Sequence, residues 1–199
     1  MASFSDPPAG PAPGLVVAMR WRREARDAVR RLGEPRYLAA AAVALPLIGL
    51  AFLRFGGSGR VAVAAFFISS LCVLAAIDLT ERRLPNRIVL PSTVLVLTSQ
   101  IVLFPDRTLE WILAGIGAAL VLLLPLLVFR EGVGMGDVKL MLLLGVALGS
   151  AVATALVVGS VLAAAYAALL LLRDGGDARR AAFPLGPFLV FGALVALLL

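Results

Sequence analysis

Apolar residues in this chain are grouped into long, nearly uncharged blocks, and this grouping constrains the possible fold more than any other feature. Most blocks are roughly 17–22 residues long, the length that an α-helix needs to cross the hydrocarbon core of a bilayer. The residue types AVILMFWYC make up 61% of the 199 residues, which exceeds the share found in water-soluble domains. We therefore predict an all-α protein, a polytopic transmembrane helical bundle with six to seven spans. The blocks cover residues 37–53, 61–77, 88–104, 110–129, 138–149, 150–172 and 183–199.

The distribution of basic residues indicates how these spans are oriented. If the chain reverses direction between blocks 138–149 and 150–172, 15 of the 18 Lys and Arg residues lie on one side of the membrane. Only Arg54, Arg60 and Arg107 lie on the other side. Because cytoplasmic loops carry the excess of positive charge, we predict seven spans with the N-terminus in the cytoplasm and the C-terminus outside. The fifth block rises only about 18 Å as a helix, so we expect it to tilt or to be shielded by its neighbours.

Composition divides the chain into three regions. Residues 1–14 are rich in Pro, Ala and Gly and are predicted to be a disordered tail. Residues 15–36 form a basic segment, which is either an amphipathic helix on an anionic membrane surface or a solvated cytoplasmic anchor. Because its first Arg is Arg20, this segment does not resemble a secretory signal, and we expect it to be retained. Residues 37–199 are the predicted transmembrane domain, and the net charge of +6 is an orientation signal rather than a nucleic-acid-binding surface.

The absence of certain residue types limits the chemistry that this chain can perform. The sequence contains no His, which excludes His-based catalytic triads, His metal ligands and a His proton shuttle. Its one cysteine, Cys72, excludes a disulfide framework and a zinc site built from CxxC pairs. We therefore predict no metal and no cofactor, and carboxylates are the remaining candidates for catalysis.

Two aspartates, Asp78 and Asp137, differ from the other acidic residues in their position. Asp78 ends the second apolar block and Asp137 opens the fifth, so both are predicted to lie at the cytoplasmic boundary. Two neighbouring carboxylates share one proton and can act as acid and base on a water molecule. The alternatives are an N-cap role for Asp137 and a solvated position beside Arg82 and Arg83 for Asp78.

Residues that flank the two aspartates are candidates for binding substrate or supporting the loops. Gly134 and Gly136 precede Asp137 and would let a substrate backbone approach closely, although they also fit an ordinary turn. Pro85 and Asn86 are predicted to start the third helix after a rigid turn. Lys139 is a candidate for steadying charge at the site, or for extending its ammonium group to the membrane interface.

Three segments of the sequence resemble motifs of a known family. The segments A-A-I-D-L-T-E-R-R-L-P-N and G-M-G-D-V-K-L resemble the two signature motifs of the prepilin peptidases, which are type IV leader peptidases of the GxGD class. The later segment A-F-P-L-G-P-F-L-V-F-G is similar to that family's motif before its final span. The resemblance covers about residues 61–199 and implies that Asp78 and Asp137 are the catalytic pair of an aspartic endopeptidase. It also implies prepilin or pseudopilin substrates, cut at the cytoplasmic face of a bacterial cytoplasmic membrane.

The chain departs from the long members of that family in one respect. Those members carry a zinc-binding segment with paired CxxC motifs and also methylate the new N-terminus, whereas this sequence has a single cysteine. It therefore resembles the short form that lacks the N-methyltransferase and zinc segment, such as the peptidases that serve Flp/Tad-type pili. The expected partners are prepilin leader peptides and the lipid bilayer, and the oligomeric state is left open.

The sequence leaves three alternatives to a leader peptidase. A proton-coupled transporter would place acidic residues near the middle of the membrane, and a non-catalytic subunit of a pilus or secretion machine would not need both aspartates. Presenilin-like GxGD proteases are a third alternative, against which the L-P-N and V-K-L segments argue. For the peptidase, the helix dipole predicts Asp137 as the initial base and Asp78 as the initial acid, since Asp137 lies at a helix N-terminus and Asp78 at a C-terminus.

Overall fold

The computed structural model describes residues 34–81, 84–129, 134–174 and 185–199. Within these residues the secondary structure is helical and contains no strand, so the predicted all-α helical bundle is confirmed. The predictions for residues 1–14 and for nearly all of 15–36 lie outside the described residues. The α-helices are α1 Pro35–Phe55, α2 Gly59–Glu81, α3 Asn86–Leu103, α4 Thr108–Phe129, α5 Met135–Leu148, α6 Val152–Asp174 and α7 Gly186–Leu198.

Two short 3-10 helices complete the described secondary structure. Pro105–Arg107 connects α3 to α4, and Gly149–Ala151 connects α5 to α6. The residues from Ala39 to Leu199 form one compact unit.

Five stretches of the described residues are long and apolar enough to cross a membrane, and α7 is an apolar helix of shorter length. The longest stretch has 39 residues and comprises α5, the following 3-10 helix and most of α6. The number of spans, six or seven, therefore stays a prediction. The five stretches are Tyr37–Phe55, Gly59–Glu81, Asn86–Leu103, Pro105–Leu127 and Met135–Arg173.

The chain reverses direction between α5 and α6, as the distribution of basic residues predicts. Helix α5 ends at Leu148, and the next residue, Gly149, packs against Trp111 near the start of α4. Helix α6 then runs antiparallel to α7, because Gly159 lies beside Leu189 and Gly192 lies against the backbone of Ala155. The 39-residue stretch is thus two helices joined by a tight turn.

Contacts at the helix termini define the two ends of the bundle. One end, called here the aspartate end, contains Asp78 in the last turn of α2, Asp137 in the first turn of α5 and Gly186 at the start of α7. The opposite end, called the far end, contains the α5–α6 turn and the contact between the Arg54 guanidinium and the Leu199 carbonyl oxygen.

Helix α5 lies at the centre of the bundle and packs against α3, α4 and α7. Leu140, Met141, Leu143 and Leu144 are fully buried in the main core cluster. Because lipid tails are as apolar as leucine side chains, close van der Waals packing contributes most to helix association in a membrane. Such packing occurs at Gly145, whose Cα lies against the backbone of α4. The expectation that neighbouring helices shield this short helix is therefore confirmed.

The turn after α5 gives a test of packing at the far end. Gly149 has φ +59°, and a Cβ atom at this position would lie 2.7 Å from the Trp111 ring. Replacing Gly149 with Ala is therefore expected to lower the free energy of unfolding by about 1–3 kcal/mol. Thermal unfolding of the detergent-solubilised protein measures this change.

Gly56→Ala is the matched control, because Gly56 has φ +65° and no atom within 4 Å of the added Cβ. Both substitutions strain the backbone, but only the first displaces a neighbouring side chain. An equal loss of stability in the two variants would contradict a structural role for the contact between Gly149 and Trp111.

Candidate active site

Asp78 lies in the last turn of α2 and is buried, with only 6% of its surface exposed. The alternative of a solvated aspartate is therefore wrong, and Arg82 and Arg83 lie outside the described residues. Within the described part of the chain, the Oδ2 atom of Asp78 has no hydrogen-bond partner. A buried polar atom without a partner costs stability, which makes a purely structural role for this carboxylate a poor explanation.

The first residue of α7, Gly186, packs directly against the carboxylate of Asp78. A Cβ atom at Gly186 would lie 2.5 Å from Oδ2 and 3.1 Å from Cγ of Asp78, so only glycine fits beside this carboxylate without a shift. The backbone amide of Gly186 also approaches the carboxylate. Asp78 is thus at the C-terminal end of α2 and, at the same time, beside the N-terminal end of α7.

Gly186 has no role predicted from the sequence. The available signal was the segment A-F-P-L-G-P-F, in which a glycine and a proline begin the last apolar helix. Nothing in that segment identifies its neighbour, because Asp78 lies more than 100 residues earlier in the chain.

Asp137 lies in the first turn of α5 and is partly buried. Gly134 is the N-cap of this helix, and its backbone N–H donates a hydrogen bond of 3.2 Å to Oδ2 of Asp137. Asp137 therefore satisfies one of the free N–H groups at the helix start, but from the third helical position and not as the N-cap residue. This hydrogen bond also fixes the direction in which the carboxylate points.

The structure brings Asp78 and Asp137 to the same end of the bundle, close enough for their charges to interact. Helices α3 and α7 each pack against both α2 and α5, and so hold the two helices that carry the aspartates. In a partly dehydrated environment such a charge interaction is stronger than in water. The tertiary structure therefore places two carboxylates where they can act as a pair.

The start of α3 and the start of α5 contact each other next to the aspartates. Pro85 is the N-cap of α3, which begins at Asn86 as predicted. The Lys139 ammonium group donates a hydrogen bond of 2.8 Å to Oδ1 of Asn86. Gly136 packs against Leu84, with 3.1 Å between its added Cβ and that of Leu84, whereas Gly134 is exposed.

Acidic side chains in the described ranges do not gather into a metal site. No group of three or more His, Cys, Asp or Glu residues there has a geometry that could hold a metal ion. Cys72 is buried in the packing between α1 and α2. Backbone amides lie beside both carboxylates, that of Gly134 at Asp137 and that of Gly186 at Asp78.

Comparisons with known proteins agree on one family. A family model described as the type IV leader peptidase family matches residues 65–169. The prepilin leader peptidase/N-methyltransferase of Bacillus subtilis (strain 168) is 30% identical over 162 residues, which cover 81% of this chain and 65% of that protein. The protein of the same name from Pseudomonas putida is 32% identical over 150 residues, covering 73% and 52% respectively.

The chain thus spans about half to two thirds of the length of the curated relatives that it matches. No solved structure gives a significant match. The stretch matched by the family model contains both Asp78 and Asp137 and ends before Gly186.

Proposed function

Because the chain belongs to the type IV leader peptidase family, we propose that it is an aspartic endopeptidase of the membrane. Its substrates are leader peptides of type IV prepilin-like proteins, including Flp/Tad-type prepilins or pseudopilins. The names of the two relatives support prepilin leader peptides as the substrates. The segments around Asp78 and Asp137 support an aspartic mechanism.

The observation that carries this proposal is the buried carboxylate of Asp78. Its Oδ2 atom lacks a partner among the described residues, and Asp137 is near enough for an electrostatic interaction. A lone buried carboxylate destabilises a protein, but a pair that shares one proton can bind and activate a water molecule. No other described pair of carboxylates combines burial with this proximity.

In the proposed reaction, one aspartate takes a proton from a water molecule, which attacks the scissile carbonyl carbon of the leader peptide. The other aspartate donates a proton to the departing amine, so no covalent intermediate with the protein forms. The prediction that Asp137 is the initial base rested on helix dipoles. Since Asp78 lies beside the N-terminus of α7, both carboxylates face a helix N-terminus, and the dipole does not distinguish them.

We assign supporting roles to the residues around the pair. The contact between Lys139 and Asn86 holds the start of α3 against the start of α5, and Pro85 stiffens the chain between Asp78 and α3. Gly136 permits the packing of Leu84. Gly134 is exposed and directs the Asp137 carboxylate, so it is the glycine that we expect to lie nearest to the bound substrate backbone.

We further propose that the protein resides in a bacterial cytoplasmic membrane with its aspartate end and its N-terminus facing the cytoplasm. Arg87, Lys139 and Arg173 lie near helix ends on the aspartate side, in agreement with an excess of positive charge there. The single cysteine supports a peptidase without the paired CxxC motifs of the long form.

The transporter alternative receives no support from the positions of the acidic residues. Each described Asp or Glu residue lies in the first or last turn of a helix, directly before a helix, or in a connection between helices. A proton pathway through the membrane requires ionisable groups at intermediate depth. This distribution fits chemistry at one membrane face better than transport across the membrane.

Coexpression with a prepilin tests the proposed activity directly. A type IV prepilin with a C-terminal tag is expressed in a bacterium that lacks leader peptidases, with and without this protein. We expect a shorter prepilin only in the presence of the protein, with its new N-terminus identified by mass spectrometry. Failure to cleave Flp-type prepilins, other type IV prepilins and pseudopilins alike, from a protein that is correctly inserted in the membrane, would contradict the proposal.

A further inference from the structure

A cluster of arginine and aromatic side chains lies at the far end of the bundle, away from the two aspartates. A cavity of about 220 Å³ lies there between α2, α3, α4, the α5–α6 turn and α7. Two arginines, Arg60 and Arg107, line it together with the aromatic residues Phe104 and Trp111. Gln100, whose side-chain amide donates a hydrogen bond of 3.1 Å to the Ala147 carbonyl oxygen, also lines the cavity. Most of the remaining lining is apolar and includes Val63, Ala64 and Phe67 of α2.

The two arginines differ in their partners. The Arg107 guanidinium donates two hydrogen bonds of 2.8 Å to the carboxylate of Glu110 and lies 5.0 Å from the centre of the Trp111 ring. The Arg60 guanidinium lies 4.6 Å from the centre of the Phe104 ring, and no described carboxylate pairs with it. Arg60 therefore has its charge available for a ligand, while the aromatic ring restricts its motion.

The acidic residues in this region do not neutralise the charge of Arg60. Glu110 is engaged by Arg107 and also accepts hydrogen bonds from the backbone N–H and the hydroxyl of Ser150. Asp106 is exposed in the 3-10 helix before α4. The carboxylate of Glu110 is thus already used to hold the α5–α6 turn.

The position of these arginines is unusual for the chain as a whole. The charge distribution assigns only three of its 18 basic residues to this side of the membrane, and two of the three line one cavity. The third, Arg54, lies in the last turn of α1, next to the cavity-lining residue Phe55. Because cytoplasmic loops carry most of the basic residues, the convergence of the few that lie on this side calls for a local cause.

We propose that this cavity binds a phosphate group, carried by an anionic phospholipid or free in solution. Arg60 supplies the planar, doubly donating guanidinium that suits phosphate oxygens. Arg107, although paired with Glu110, brings a second guanidinium to the cavity wall. The apolar wall from α2 suits the glycerol and first acyl carbons of a phospholipid, which would sit at the depth where helix ends meet the headgroups. This inference does not rest on the proposed peptidase function.

Thermal unfolding of the purified full-length chain tests the proposal, since a ligand that binds only the folded state raises the Tm. The protein is studied in phosphatidylcholine nanodiscs with increasing phosphatidylglycerol, and separately in phosphatidylcholine with inorganic phosphate at constant ionic strength. We expect a rise in Tm with phosphatidylglycerol or with phosphate. A rise with the lipid alone identifies a headgroup as the ligand, and a rise with phosphate alone identifies a free anion.

Arg60→Gln is expected to weaken the apparent affinity by roughly tenfold or more, because it removes charge-assisted hydrogen bonds. Arg173→Gln is the control, since Arg173 is exposed near the aspartate end. Ala151→Leu, which fills part of the cavity wall, tests the same site without changing charge. The proposal is overturned if phosphatidylglycerol and phosphate leave the wild-type Tm unchanged, or if Arg60→Gln and Ala151→Leu both respond as the wild type does.

Discussion

Replacing either Asp78 or Asp137 with Asn is expected to lower the rate of prepilin cleavage by roughly 10²–10⁴-fold, because each substitution removes one member of an acid–base pair. Asn has nearly the same size and shape as Asp, so packing around Asp78 is preserved. Removing the charge of a buried carboxylate is not expected to lower the stability of the folded protein. Cleavage is measured as the fraction of tagged prepilin shortened over time in membranes that contain equal amounts of each variant.

Asp106→Asn is the matched control for this pair of variants. The substitution is the same, but Asp106 is exposed in the 3-10 helix at the far end, remote from the proposed site. We expect it to cleave at the wild-type rate. The double variant of Asp78 and Asp137 is expected to lose little more activity than either single variant. When two groups act as a unit, the effects of replacing them do not add. Wild-type cleavage by either single variant would remove the basis of the proposed mechanism.

The second large effect is expected at Gly186, whose Cα packs against the Asp78 carboxylate. In a Gly186→Ala variant the new Cβ would lie 2.5 Å from Oδ2, and the carboxylate must rotate or shift to avoid it. Displacements of about 1 Å in a catalytic group cost on the order of 10²-fold in rate. We therefore expect a reduction of about this size in prepilin cleavage, although Gly186 is not itself a reacting group.

The expected loss of prepilin cleavage in Gly186→Ala can be distinguished from a loss of folding. Ala is a better helix former than Gly, so the substitution does not weaken α7 through helix propensity. Gly117→Ala is the matched control, because Gly117 lies inside α4 with no atom within 4 Å of the added Cβ. We expect Gly117→Ala to retain activity and Gly186→Ala to retain its Tm but lose cleavage. Full activity of Gly186→Ala would show that the Asp78 carboxylate need not occupy the position seen here.

Much of the helical architecture could be predicted from the sequence. The apolar block 110–129 corresponds to α4, Thr108–Phe129, and the block 88–104 corresponds to α3, Asn86–Leu103. These boundaries are local properties, because a long apolar run is stable in lipid only when its backbone groups are bonded within a helix. The reversal after α5 could also be inferred, since the charges of distant loops report on the direction of each span.

The environment of the two aspartates could be predicted only in part. Their location at one end follows from their positions at the ends of apolar blocks. The burial of Asp78 does not, because the sequence beside it suggests a solvated, basic loop, and the residue that covers it belongs to α7. The position of Asp137 inside the first turn of α5, with Gly134 as N-cap, differs by three residues from the N-cap alternative.

By itself the sequence determined that this is an all-α membrane protein with two aspartates at one end, since hydropathy and charge act on each segment separately. Only the tertiary structure decided which groups from distant segments meet. It placed Gly186 against Asp78, and it brought Arg60 and Arg107 to one cavity. The physical reason is that contacts between helices depend on packing and shape across the whole bundle, which the pattern within one helix does not specify.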